Sequence, residues 1–168
     1  AWGTAQARLG VDAVLISSAF AGGSFISRAM YERFVLPFER KLVEAVHRGG
    51  VPVYTHTCGR LGDRLDLLAA TGTDGVDTLD PPPLGNVELG DAKKQIGNRL
   101  FIKGNLNSVE LLSFTERSEV EQAVIRCLAA GMPGGGYILS TACSVAPRVQ
   151  PWKLEMLVPL AEEHGRYS

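Results

Sequence analysis

A surplus of charge, long apolar stretches and cysteine are what this chain lacks. Its 168 residues hold 17 Lys and Arg against 18 Asp and Glu, a formal net charge of −1. So even a balance leaves no basic footprint for a nucleic-acid backbone or an anionic membrane. No apolar run approaches the roughly 18–20 residues that a bilayer-crossing helix needs. Three cysteines are odd in number and too few for a disulfide scaffold. The opening residues, Ala-Trp-Gly-Thr-Ala-Gln-Ala-Arg, lack the charged-then-apolar order of a secretory leader. These absences predict a cytoplasmic protein with reduced thiols and with neither nucleic acid nor membrane among its partners. The length predicts a single domain over 1–168 with a real core.

What is present is a regular alternation. Apolar runs with strand character fall at Asp12–Ile16, Val51–Thr55, Gly75–Leu79, Leu100–Lys103 and Gly136–Ser140. Helical periodicity fills Trp2–Leu9, Arg28–His47 (with Pro37 as a possible kink), Leu61–Ala70, Leu89–Ile96, Glu116–Ala130 and Pro151–His164. Glycines at 50, 72, 97, 131 and 165 are expected to close helices in the left-handed manner. A chain of βα units calls for a parallel sheet. The fold class is therefore α/β, with about five βα units. A (β/α)8 barrel needs eight, so the chain is expected to be the C-terminal portion of one, starting inside a helix and without Met. Its open edges would be covered by a missing N-terminal barrel segment or a second copy. The competing architecture is a complete five-stranded open sheet of flavodoxin type.

One group of residues carries chemistry. His56 and Cys58 are placed at the exit of the second strand and Cys143 after the fifth. Strand ends in parallel α/β folds converge on one face, so residues distant in sequence can share a metal there. One imidazole and two thiolates suit Zn²⁺, leaving a fourth position open. The competing reading is two buried thiols and a core histidine. Asp80, after the third strand, is expected as a fourth, displaceable ligand. Such a thiolate-rich site favours alkyl transfer to a bound sulfur over activation of water, which usually has fewer thiolates around the metal. Cys127, among apolar residues of a helix, is expected in the core, and His47 and His164 near helix C-termini as caps. Gly131–Gly136 precedes a strand and is expected to be a turn at the opposite end of the barrel; Ala21–Ser24 follows a strand on the active face.

The segments Asp12-Ala-Val-Leu-Ile16, Tyr31-Glu-Arg-Phe-Val-Leu-Pro37, Val51-Pro-Val53, Gly104-Asn-Leu-Asn107 and Gly136-Tyr-Ile-Leu-Ser140, with Pro147 and Pro151, resemble the uroporphyrinogen decarboxylase superfamily. That resemblance implies a (β/α)8 barrel in chains about twice this length. The decarboxylases of the family use no metal and carry His-Gly where this chain has Cys143-Ser144. The His-x-Cys…Cys pattern looks instead like the methylcobamide:coenzyme M methyltransferase branch, which implies zinc on His56, Cys58 and Cys143. It further implies methylcobalamin or a corrinoid protein as methyl donor and a small thiol as acceptor. Asn105 and Ser18 are then expected on the substrate side. Ser17-Ser18 and Asn107 stand where acidic residues are common in the family, which leaves the acceptor open. The expected function is a zinc-dependent methyltransferase. The alternatives are a metal-free uroporphyrinogen decarboxylase and a non-catalytic zinc- or corrinoid-binding module.

Overall fold

The computed structural model describes residues 2–167. Five strands form one sheet: β1 Val14–Ser17, β2 Val53–Thr57, β3 Gly75–Thr78, β4 Phe101–Leu106 and β5 Tyr137–Thr141. All four pairings are parallel, and the strands lie side by side in chain order. A flavodoxin-type sheet would place its first strand between the second and third. The unbroken 1-2-3-4-5 order is that of consecutive strands in a barrel, so the chain is a portion of a (β/α)8 barrel.

Helices α1 Trp2–Arg8, α2 Arg28–Phe34, α3 Leu36–His47, α4 Leu65–Ala70, α5 Leu89–Ile96, α6 Ser108–Ser113, α7 Arg117–Gly131, α8 Pro151–Glu155 and α9 Leu157–His164 connect and follow the strands. Alternate strand residues Val14, Ile16, Val53, Thr55, Val76 and Ile102 are buried against this helical layer. Along the opposite face, Leu15 and Ile138 remain 45% and 48% exposed. Parallel sheets are ordinarily covered on both sides, so this open face is the wall of an incompletely enclosed barrel interior. Among the described residues no helix is long and apolar enough to cross a membrane.

Two expected helices are each split. The 28–47 helix breaks at Val35, and the 151–164 helix at Met156. The cause is shared: Pro37 and Pro159 have no N–H to offer the carbonyls of Arg33 and Glu155 one turn earlier. The expected 61–70 helix starts only at Leu65, because Gly62 N–H donates to Asn86 Oδ1 and Arg64 is pinned by its side chain. Helix α6 has no counterpart among the sequence expectations. Its signal is Asn107, whose Oδ1 accepts from the N–H groups of Val109 and Glu110 at 3.0 and 3.3 Å as an N-cap. Of the helix-closing glycines, Gly50 and Gly72 take positive φ; Gly97 and Gly165 do not, and Gly131 is the last residue of α7. The 131–136 segment is a turn into β5, held by Gly135 N–H donating to the Met132 carbonyl at 2.8 Å.

Candidate metal centre

β2 and β5 run two residues and one residue further at their carboxyl ends than expected, and this moves the site inward. His56 is the penultimate residue of β2 rather than a residue beyond it, Cys58 follows β2 at once, and Cys143 lies two residues past β5. Side chains alternate along a strand, so His56 and Cys58 share a side. His56 Nε2 is 3.1 Å from Cys58 Sγ, and Cys58 Sγ is 3.6 Å from Cys143 Sγ. One ligand atom from each of the three lies within 4.8 Å of the others. Zn–S bonds of about 2.3 Å and a Zn–N bond of about 2.0 Å at tetrahedral angles would set the donors about 3.5–3.8 Å apart. The sulfurs already stand at that separation, and the imidazole needs to withdraw by a few tenths of an ångström. The donor set therefore fits a tetrahedral soft-metal site with one position free.

Burial pushes the Cys58 thiol up to about 12, reinforced by the hydrogen bond and charge of Cys143 and then by the charges of Asp80 and Asp77. Two thiols and two carboxylates crowd one another here, and a divalent cation is the natural relief.

Asp80, expected as a fourth ligand, lies outside the His56–Cys58–Cys143 group. Its Oδ2 accepts the Gly59 N–H at 2.7 Å, so it holds the turn that presents Cys58. Its Oδ1 is buried with no hydrogen-bond partner among the described residues, in a residue only 2% exposed. The chain reaches Asp80 through two left-handed residues, Thr78 at φ 84° and Leu79 at φ 48°. A β-branched residue there is strained. The Thr78 hydroxyl, 2.5 Å from the Thr57 carbonyl, helps hold it in place.

Of the two expected substrate-side residues, Ser18 donates its hydroxyl to the buried Glu39 carboxylate, which also accepts from Tyr31 Oη at 2.5 Å. Burial, with the Glu39 charge, holds the Tyr31 hydroxyl far above its ordinary range. Ser18 also lines a cavity of about 350 Å³ beside the end of β1. Asn105 is buried and spends its amide on the carbonyls of Leu79 and Val87, at 3.0 and 3.3 Å. It ties β4 to the loop that carries Asp80.

The 18–27 loop closes over Cys58. A Cβ on Gly22 would lie 2.1 Å from the Cys58 carbonyl oxygen, so only glycine fits. Gly22→Ala is expected to force the two loops apart and to destabilise the protein by about 1–3 kcal/mol, read by urea unfolding; no change would show the loops are slack. Arg64, 1% exposed, locks the same loop by donating to the carbonyls of Ala21 and Ile26 at 2.9 and 3.1 Å.

Sequence reasoning missed Arg64, Glu39, Asp77 and Lys103. Asp77 Oδ2 lies 3.3 Å from His56 Nδ1, and Lys103 Nζ donates to Asp77 Oδ1 at 2.9 Å. Both sit inside the apolar strand runs, and a charge in such a run was the available signal. Cys127 is half-buried on α7, its thiol pushed up to about 11 mainly by burial. His47, expected as a helix cap, instead has its Nε2 2.7 Å from Asp74 Oδ2, which also accepts the Val53 N–H.

Parallel βα units in unbroken strand order define an α/β protein of (β/α)8-barrel type, with a His/Cys/Cys cluster at the carboxyl end of its sheet. Residues 1–164 match the family model described as Uroporphyrinogen decarboxylase (URO-D), and the chain belongs to that family. A uroporphyrinogen decarboxylase from Geobacter metallireducens is 33% identical over 147 residues, 88% of this chain and 40% of that protein. The methylcobamide:CoM methyltransferase MtbA from Methanosarcina acetivorans is 26% identical over 164 residues, 98% of this chain and 45% of that protein. A solved methyltransferase from Methanosarcina mazei superposes with a TM-score of 0.80 at 20% identity, covering 98% of this chain and 46% of that one, and so shares its fold. The chain thus spans less than half the length of these relatives, and those of known name are enzymes.

Proposed function

We propose that the protein is a zinc-dependent methyltransferase that moves a methyl group from a methylated corrinoid, free or protein-bound, to a small thiol. The observation that carries this reading is the convergence of one His56 ring nitrogen, Cys58 Sγ and Cys143 Sγ within 4.8 Å of one another, with His56 Nε2 3.1 Å from Cys58 Sγ. A decarboxylase that works without a metal has no use for two facing thiols and an imidazole. When bound, zinc would lower the pKa of the acceptor thiol and hold the resulting thiolate as a nucleophile. The remaining work falls to the protein. His56, Cys58 and Cys143 supply three ligands and leave one place for a sulfur. Asp80 keeps the Cys58–Gly59 turn in shape through its 2.7 Å bond. Gly22 and Arg64 seat the 18–27 loop against it. A methylated corrinoid would supply the methyl group, keeping the electrons of its carbon–cobalt bond as the acceptor sulfur gained the new C–S bond, and the acceptor's proton would pass to solvent.

The second reading, a uroporphyrinogen decarboxylase, is favoured by one observation: relatives with that name reach 33% identity, against 26% for the methyltransferases. Metal analysis separates the two. The purified protein is expected to hold about one zinc, and Cys58→Ser and Cys143→Ser each to lose most of it. Undiminished zinc in both variants, or none in the parent protein with turnover of a porphyrinogen, would overturn the methyltransferase reading.

A further inference from the structure

Three neighbouring strands place His56, Asp77 and Lys103 at one height, His56 in register with Asp77 and Asp77 with Lys103. Residues in register on parallel strands face the same side of the sheet, so the three side chains form a row across β2, β3 and β4. The two oxygens of Asp77 are divided between its neighbours, Oδ2 toward His56 Nδ1 at 3.3 Å and Oδ1 toward Lys103 Nζ at 2.9 Å. The Asp77 side chain is 9% exposed and that of Lys103 30%. This is a sheltered pair, where an ion pair is screened less than on the surface.

A neutral imidazole carries one N–H and one lone pair. A carboxylate at Nδ1 takes the N–H on that nitrogen and leaves the lone pair on Nε2, the atom that lies 3.1 Å from Cys58 Sγ. The geometry points to Asp77 and Lys103 as positioning residues for His56: Asp77 selects the tautomer and tilt that aim Nε2 at the metal position, and Lys103 fixes Asp77. This rests on the metal reading under Proposed function. Lys103 has a second consequence. Its charge offsets part of that of Asp77, which limits the negative charge that the carboxylate adds beside two thiolates. It acts on His56 only through Asp77, which predicts a particular pattern of coupling. Removing Lys103 should matter while Asp77 is an aspartate and stop mattering once it is not.

The test uses zinc affinity by chelator competition, the absorption bands of the cobalt-substituted protein, and the ¹⁵N signals of His56. Asp77→Asn is expected to weaken zinc by about 10–100-fold and Lys103→Met by about 10-fold, the range for groups that orient metal ligands. Lys103→Met is expected to add nothing in the Asp77→Asn background. Asp77→Glu, which keeps a carboxylate, is expected to recover part of the affinity. In metal-free protein the His56 proton is expected on Nδ1, and to be shared between tautomers in Asp77→Asn. A row serving only the sheet would lower the melting temperature and leave zinc affinity, cobalt bands and tautomer as in the parent, and that result would overturn the inference. If the parent binds no zinc yet holds its proton on Nδ1, the positioning stands and the metal reading falls. A parent with mixed tautomers sinks the positioning whatever the zinc content.

Discussion

Arg64→Met is expected to destabilise the protein by about 3 kcal/mol, more than most single substitutions in it. Arg64 is among the largest fully buried side chains and donates to the carbonyls of Ala21 and Ile26. Methionine refills most of the volume but leaves both carbonyls without a donor, at about 1–3 kcal/mol for each buried unsatisfied group. The bonds from Arg64 to Asp63 contribute less, because the Asp63 side chain is 52% exposed and returns to water when they are lost. The guanidinium also lies 5.7 Å from the centre of the Tyr31 ring, a contact that methionine replaces only in part. A melting point lower by about 6–12 °C follows from about 2–4 °C per kcal/mol in a domain of this size. Arg64→Lys keeps the charge but not the fork and is expected to fall between the two. The loop that Arg64 holds abuts the Cys58 carbonyl through Gly22, so zinc affinity should fall along with stability. Urea unfolding and chelator competition check both; a loss under 1 kcal/mol would mean that water or a shifted backbone satisfies the two carbonyls.

How much of this was legible beforehand differs between the frame and the site. The five strands are visible because each apolar run is bounded by glycine, proline or a change of period, and the helices between them because one face repeats. Boundaries were less legible. They depend on which backbone groups find partners, as at Val35 and Met156, where the deciding proline lies two or three residues further on. For the site, His56, Cys58 and Cys143 could be named because their chemistry is rare and their strand-end placement is general. Their convergence was not contained in any local pattern; it needs the parallel pairing of β2 through β5, which puts the carboxyl ends of β2 and β5 at one end of the sheet.

Asp80 shows the limit from the other direction. Its position after a strand marked it as a ligand, yet the left-handed turn at Thr78 and Leu79 delivers one oxygen to the Gly59 N–H and buries the other. No propensity scale anticipates two successive left-handed residues without glycine. Asp77 and Lys103 were hidden differently. Each reads as an intrusion in an apolar strand, and only the register of β2, β3 and β4 turns two intrusions into a row with His56. Thus local chemistry proposes the ligands, and cross-strand register decides what supports them.

Metal uptake is expected to tighten at least tenfold for each unit of rising pH from about 6 to 9. The reason is the Cys58 thiol, which burial, helped by Cys143 and the two aspartates, pushes up to about 12. A coordinating sulfur must be a thiolate, so binding expels that proton, and protons compete with zinc throughout the range below this value. In metal-free protein the sign for stability is opposite. The folded state holds the Cys58 proton more tightly than the unfolded chain, whose thiol titrates near 9.0. The contribution is therefore complete below about 9 and is lost as pH rises from there toward 12. With zinc bound the thiol is already ionised, so this alkaline loss should vanish. Reactivity follows the same logic. At pH 8 a thiol titrating near 12 holds about a thousandfold less thiolate than one near 9. Cys58 in chelator-treated protein should therefore react with an alkylating agent far more slowly than an ordinary cysteine, while a denatured sample reacts at once. Chelator competition at pH 6, 7 and 8, with an indicator dye counting at least one proton released per zinc, checks the coupling. Zinc affinity independent of pH would mean that Cys58 is ionised before the metal arrives.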